Sequence, residues 1–132
     1  MRLWNYAVKV ADLDAASTFY AETMGGEMRL AGRVFGCDYR VLRLGGTRIL
    51  LFTRAPYEDL LDEPLPLGFL HVVFEVDDFD AEIAKLREAG VPFILEPQEI
   101  ESEFGRRRIV FFVAPDGVRT EIMQIVTDTG IA

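Results

Sequence analysis

Residues 70–80, with the sequence LHVVFEVDDFD, decide the fold of this 132-residue chain. The alternation of side chains in the first half of this stretch predicts a strand, which carries the only histidine of the protein, His71. Asp78 then stands at the N-cap of a helix that ends near Gly90. A strand that runs directly into a helix is therefore the unit to look for elsewhere in the chain.

The same unit occurs at the start of the chain, where Asp12-Leu13-Asp14 precedes Asp78-Phe79-Asp80 by 66 residues and Asn5 precedes His71 by the same 66. Strands are predicted over residues 3–10, 28–33, 39–44, 48–54, 70–76, 93–99, 108–114 and 119–126. This repetition predicts an α+β fold of two βαβββ modules that form a curved, cup-like mixed sheet.

The predicted modules cover residues 1–54 and 69–127, with a proline-rich connector at 55–68 and a C-terminal tail at 128–132. One helical turn is expected in the connector, near Tyr57. The second module is longer than the first, and we expect its extra residues in a polar loop at 99–105.

Composition excludes several classes of protein. The lone Cys37 rules out an internal disulfide, and no apolar run approaches the ~20 residues of a membrane span. The net charge of −8 opposes nucleic-acid binding and, if the ligand is charged, favours a cationic one; the alternative is that the acidic residues only keep the outer faces soluble. We therefore expect a cytoplasmic protein with a small-molecule ligand and with neither a nucleic-acid nor a membrane partner.

The last predicted strand follows the turn in residues 114–124, APDGVRTEIMQ, and carries Glu121. The inner face of the cup is predicted from strand parity, which places Asn5 on that face and Trp4 on the opposite one. The residues expected to share the inner face with His71 and Glu121 are Asn5, Ala7, Leu50, Phe52, Val73 and Met123. A few polar groups on an apolar wall are typical of a small-molecule pocket, for which Leu50, Phe52, Val73 and Met123 would be ligand-binding residues.

The Pro115-Asp116-Gly117 turn four residues before Glu121, together with His71 seven residues before Asp78, resembles the vicinal oxygen chelate superfamily. This is the superfamily of glyoxalase I, bleomycin-resistance proteins and extradiol dioxygenases. The resemblance implies one divalent metal (Fe, Mn, Ni or Zn), held from four inward positions. Those positions here are Asn5, Leu50, His71 and Glu121.

The resemblance also implies roles for these four residues. His71 and Glu121 would be metal ligands, Asn5 a weaker ligand through its amide oxygen, and Glu121 a catalytic base if it left the metal. Leu50 cannot bind a metal, which argues against a glyoxalase-like or epimerase-like site. Because His71 and Glu121 keep the character of metal ligands, a metal-dependent lyase, isomerase or dioxygenase is one hypothesis for the function.

Two alternatives stay open at this point. His71 and Glu121 could form an ion pair without any metal, and the cup could then sequester a ligand as bleomycin-resistance proteins do. The protein could also be a scaffold that only dimerises. A homodimer is expected under all three hypotheses, because open sheets leave edges and apolar faces uncovered, and the pocket could be shared between subunits.

Overall fold

The computed structural model describes residues 1–130, and residues 131 and 132 of the predicted tail lie outside the described part. The strands are β1 Arg2–Lys9, β2 Glu27–Val34, β3 Cys37–Leu44, β4 Thr47–Phe52, β5 Gly68–Glu75, β6 Phe93–Ser102, β7 Gly105–Ala114 and β8 Val118–Asp128. The helices are α1 Leu13–Thr18, which continues as a π-helical turn over Phe19–Thr23, and α2 Phe79–Glu88. A short 3-10 turn, Glu58–Leu60, lies in the connector, close to the predicted position.

One eight-stranded mixed sheet contains all these strands, in the order β2-β3-β4-β1-β5-β8-β7-β6. The centre of the sheet is the antiparallel pair β1–β5, and the pairs β1–β4 and β5–β8 on either side are parallel. The succession βαβββ occurs twice along the chain, so that Asn5 on β1 and His71 on β5 occupy equivalent strands. The predicted α+β fold with a cup-like mixed sheet is confirmed, whereas the residue limits of the two modules stay a prediction.

Both helices begin at an aspartate, as their sequences predict. The Asp12 carboxylate accepts a hydrogen bond from the Ala15 amide at 2.9 Å, and the Asp78 carboxylate accepts one from the Ala81 amide at 3.1 Å. Gly90 follows α2 with a φ of 71°, a conformation that glycine adopts without strain.

The helices pack on the convex side of the sheet. The cluster around α1 is built from buried Leu42, Ile49 and Leu51, with Leu13, Ala16 and Tyr20 packed against it. The cluster around α2 is built from Val76, Phe79, Val110, Phe112 and Ile122. Because the helices occupy one side, the concave side of the sheet must bury its apolar side chains by curling on itself.

The concave side holds the main core of the protein. Its buried aromatic members are Tyr39, Phe52, Tyr57, Phe104 and Phe111, joined by aliphatic residues from both halves of the sheet. The ring centres of Tyr39 and Phe104 lie 5.6 Å apart, so that side chains from β3 and from the turn between β6 and β7 meet across the concave side. The cup is therefore narrow and largely filled by its own side chains.

The two edges of the sheet approach each other through side chains. The Tyr39 hydroxyl lies 2.7 Å from the Ser102 hydroxyl, and Ser102 Oγ donates to the Arg33 carbonyl at 3.0 Å. Arg33 N donates to Glu103 Oε1 at 3.2 Å. We call these contacts of Arg33, Tyr39, Ser102 and Glu103 the seam, and they hold the cup in its narrow form.

The polar loop predicted at residues 99–105 is wrong. β6 continues to Ser102 and β7 begins at Gly105, so the extra residues lengthen a hairpin. Ion pairing explains why polar residues can form this ribbon, since Arg106 and Glu99 lie on paired strands and their side chains are 2.5 Å apart. Among residues 1–130, no helix is long and apolar enough to cross a membrane.

The seam leads to a prediction about stability. Tyr39→Phe should lower the free energy of unfolding by about 1 kcal/mol, because it removes the partly buried hydrogen bond between the Tyr39 and Ser102 hydroxyls and keeps the aromatic ring. Urea unfolding would measure the change. Tyr6→Phe, at a tyrosine that is 37% exposed, is the matched control and should change stability by less than ~0.5 kcal/mol. Equal effects in the two variants would show that the seam contributes nothing.

Candidate functional site

The side chains predicted for the inner face meet at one cavity. The lining includes Asn5, Leu50, Phe52, His71, Val73, Glu121 and Met123. Strand register explains the convergence, since Asn5 pairs with Val73 and Val73 pairs with Glu121, which places the three residues on one rung across β1, β5 and β8. His71 and Leu50 lie one step away, each opposite Ala7. The structure thus brings the predicted residues together, while their roles stay predictions.

His71 is the polar centre of the cavity and is only 2% exposed. Its Nε2 lies 3.5 Å from Glu121 Oε1, and its Nδ1 lies 3.0 Å from the hydroxyl of Tyr57. The edge of the Phe111 ring packs against the imidazole at 5.0 Å between ring centres. Both ring nitrogens therefore face polar groups within an aromatic enclosure, which fixes the plane of the ring.

Tyr57 contacts the polar centre of the site and was not predicted from the sequence. It lies in the connector and is fully buried, and its hydroxyl donates to the Leu70 carbonyl at 3.2 Å as well as reaching His71. Burial raises the pKa of Tyr57, so that the phenol keeps its proton. The sequence shows Tyr57 only as the one aromatic residue between positions 55 and 68, which does not indicate a contact with His71.

The Tyr57 hydroxyl can be oriented in two ways beside the histidine. The Leu70 carbonyl already accepts a hydrogen bond from Arg119 Nε at 2.7 Å, so the phenol has a choice of acceptor. When Tyr57 donates to His71 Nδ1, Nε2 carries the hydrogen and donates toward Glu121. When Tyr57 donates to Leu70, Nδ1 carries it and the Nε2 lone pair faces the carboxylate. The direction of the Tyr57 hydroxyl bond and the tautomer of His71 are therefore coupled.

Glu121 brings the negative charge to the cavity. Its side chain is 12% exposed and borders the open space, on a rung shared with Phe111 of β7. A carboxylate in such apolar surroundings needs a partner, because desolvation disfavours its charged form. Apart from His71 at 3.5 Å, the described residues give it no ion-pair partner, so one of its oxygens can receive a ligand.

Asn5 lies across the rung from Glu121 and is 3% exposed. Its amide nitrogen Nδ2 has no hydrogen-bond partner among the described residues. A buried donor without a partner costs about 1–3 kcal/mol of stability, and such groups are rare in native proteins. Asn5 therefore offers the cavity an unused donor.

The predicted outward orientation of Trp4 is wrong. Trp4 lines the same cavity as Asn5, and the register of β1 against β5 shifts between Leu3 and Asn5. Such an irregularity breaks the alternation of faces, so that neighbouring side chains can turn to one side. The Arg48 guanidinium stacks on the Trp4 ring at 3.5 Å from its centre and thereby closes this part of the wall.

The rest of the cavity is apolar and narrow. Its volume is about 50 Å³, enough for a few water molecules. The aromatic walls are Phe35, Phe52, Phe104 and Phe111, and the buried Arg107 is held by Thr127 and Asp128 at the far end. An organic ligand therefore needs the cup to widen.

The donors present do not make up a complete metal centre. Residues 1–130 contain no group of three or more His, Cys, Asp or Glu side chains that could hold an ion. His71 and Glu121, 3.5 Å apart, match the separation of about 3.4 Å between two ligands of one tetrahedral ion. Asn5 adds only a neutral amide, and Leu50 adds nothing. A resident, tightly held metal does not fit this set.

The coupling of Tyr57 to His71 can be tested by removing one oxygen atom. Tyr57→Phe should lower the free energy of unfolding by about 1–3 kcal/mol, because the buried His71 Nδ1 loses its hydrogen-bond partner, the Tyr57 hydroxyl. The single histidine makes the ¹⁵N spectrum of the imidazole unambiguous, and the populations of its two tautomers should change. Tyr6→Phe is the control. An unchanged spectrum in Tyr57→Phe would show that Tyr57 does not set the state of the ring.

Comparison with solved structures gives close matches in fold. A Streptomyces coelicolor methylmalonyl-CoA epimerase variant in complex with 2-nitronate-propionyl-CoA is 28% identical, with a TM-score of 0.75 over 96% of this chain and 99% of that chain. The Mycobacterium tuberculosis methylmalonyl-CoA epimerase is 23% identical, with a TM-score of 0.75 over 96% and 89%. A hypothetical protein from Bacillus halodurans is 18% identical, with a TM-score of 0.76 over 97% and 96%. The last two likenesses show the fold alone.

No curated protein matches the sequence. The sequence model of the Glyoxalase/Bleomycin resistance protein/Dioxygenase superfamily matches residues 2–122, nearly the whole chain. The repeated βαβββ succession, the cup and the match together lead to one conclusion: the protein belongs to the Glyoxalase/Bleomycin resistance protein/Dioxygenase superfamily.

Proposed function

We propose that this protein binds a small organic molecule in its cup, with His71 and Glu121 as the polar groups that meet the ligand. The observation that carries the proposal is the buried His71–Glu121 pair, set in an otherwise apolar cavity beside the unpartnered Asn5 amide. Convergent polar groups on an apolar wall are what a small-molecule site requires.

Binding without a resident metal is the form of this function that we favour. Two of the four inward positions, Asn5 and Leu50, lack the charged or imidazole ligands that hold transition metals tightly. The His71–Glu121 contact supports the same view, since it gives the buried carboxylate a polar neighbour at 3.5 Å without an ion. Sequestration of a ligand, as in bleomycin-resistance proteins, requires no more than this cup.

Electrostatics favour a neutral or cationic ligand. The net charge of −8 repels polyanions, and of the two charged residues that line the cavity, Arg107 is already paired with Asp128 whereas Glu121 has no cationic Lys or Arg partner among the described residues. Methylmalonyl-CoA, the substrate named for the similar epimerases, carries several phosphates and would face this repulsion. It is therefore a useful negative probe in a binding experiment.

A metal-dependent lyase, isomerase or dioxygenase is the second candidate. The observation that favours it is the Tyr57 hydroxyl at His71 Nδ1, because metal-binding histidines commonly have their other ring nitrogen held in this way. His71 and Glu121, with the Asn5 amide oxygen, would hold the ion. A bound ion would polarise two adjacent oxygens of a substrate. Glu121 would serve as the proton acceptor only after leaving the ion.

Calorimetry with Mn²⁺, Fe²⁺, Ni²⁺ and Zn²⁺ separates the two candidates. We expect wild-type protein to bind these ions no more tightly than the variants His71→Ala and Glu121→Gln, because two strong ligands do not make a tight site. Glu63→Gln, at an exposed carboxylate, is the matched control. Micromolar binding in the wild type and in Glu63→Gln, lost in both site variants, would favour the metalloenzyme over sequestration.

The homodimer expected from the sequence is part of this proposal. Apolar side chains lie exposed along the strands and helices, among them Leu3 at 54%, Phe19 at 50% and Met28 at 45%. Exposed apolar surface of this kind supports association.

Light scattering tests the association at micromolar concentration. A dimer should give a mass close to twice the 14.9 kDa of the chain. A mass equal to that of one chain would contradict the dimer and would leave each cup to a single protomer.

A further inference from the structure

The unpartnered amide of Asn5 specifies the ligand more closely than the His71–Glu121 pair does. Asn5 Nδ2 is buried, has no partner among residues 1–130, and belongs to a side chain that lines the cavity. An apolar residue at this position would leave no donor unpaired, so no group of the described chain offsets the desolvation of the amide. A ligand that accepts a hydrogen bond would recover it.

The complementary group lies on the same rung. Asn5 and Glu121 flank Val73, so about two strand spacings, roughly 10 Å between their Cα atoms, separate them. Both side chains border the cavity, on the two sides of Val73, which lines it as well. One end can donate through Nδ2, and the other can accept through the carboxylate.

We infer that the cup selects a small apolar molecule whose carbonyl oxygen accepts a hydrogen bond from Asn5 and whose adjacent donor, such as an amide N–H, binds Glu121. The inference rests on the proposed function and names its ligand class. Aromatic walls formed by Phe52 and Phe111 suit a flat ring attached to that carbonyl group. A carboxylic amide presents the acceptor and the donor side by side.

Asn5 could alternatively bind a metal through its amide oxygen. This role requires an electron-pair donor at position 5, whereas the proposed role requires a hydrogen-bond donor. Asn5→Asp would supply a stronger anionic ligand beside His71 and Glu121 and would strengthen a metal site. The same substitution removes the donor and would weaken a carbonyl ligand. One isosteric change therefore gives opposite results for the two roles.

Three probes of similar shape test the inference. Benzamide has the carbonyl and the N–H donor, acetophenone keeps only the carbonyl, and isopropylbenzene has neither group. Binding of each is measured by NMR titration to the wild type, Asn5→Leu and Asn5→Asp. The ratio of the affinities of two probes is determined for each protein and then compared between wild type and variant, which cancels the difference in hydrophobicity between the probes.

The expected result is a loss of carbonyl preference in both variants. The affinity of acetophenone relative to isopropylbenzene should fall roughly tenfold in Asn5→Leu, the size of one lost hydrogen bond, and further in Asn5→Asp. In Glu121→Gln, the preference for benzamide over acetophenone should fall, because a neutral amide accepts more weakly than a carboxylate.

Failure of this inference and failure of the proposed function would give different results. Ratios that are unchanged in Asn5→Leu and Asn5→Asp would overturn this inference and leave ligand binding in the cup standing. Binding of none of the probes by any of the proteins would overturn the inference and the proposed function together. Melting temperatures add a test without ligand, since Asn5→Leu and Asn5→Val should melt at or above the wild-type temperature. Lower melting of both would show that Asn5 has a structural role and would overturn the inference.

Discussion

The antiparallel pairing of β1 with β5 is the interaction on which the rest of this structure depends. It joins the two βαβββ halves into one sheet and sets Ala7 opposite His71 and Asn5 opposite Val73. Parallel pairing of β5 with β8 then brings Glu121 onto the same rung. A slip of one residue in either register would turn an entire set of side chains to the other face of the sheet. The same strand register therefore determines both the position of the site residues and the burial of the core residues.

Much of this arrangement could be predicted from periodicity. The spacing between Asn5 and His71 reports which strands are equivalent, and the aspartates at positions 12 and 78 mark helix starts that the structure confirms. Strand alternation placed Leu50, Val73 and Met123 correctly on the cavity wall. The helix starts and the strand faces are local features, since each depends on residues a few positions apart, and the repeat compares two such local patterns at a distance of 66 residues.

What could not be predicted depends on contacts between distant residues. The inward turn of Trp4 follows from a register irregularity between β1 and β5, which leaves no local mark in the sequence. Tyr57 reaches His71 because the connector folds back over β5, and the narrowness of the cup follows from Tyr39 meeting Ser102 across the seam. Each of these contacts joins segments that only the closed cup brings together, so no pattern within one segment could report it.

The contribution of the polar residues to the stability of the fold does not explain why the interior of the cup contains them. A fully apolar interior would bury no charge at Glu121, no imidazole at His71 and no unpaired amide at Asn5, and each of these groups has a desolvation cost. The structure offsets part of that cost by hydrogen-bonding His71 to Tyr57, but it leaves Asn5 Nδ2 without a partner. Folds commonly depart from the most stable choice where a site has to meet something else. The unmet hydrogen bond and the singly partnered carboxylate lie on one rung, so a single ligand placed over Val73 can satisfy both.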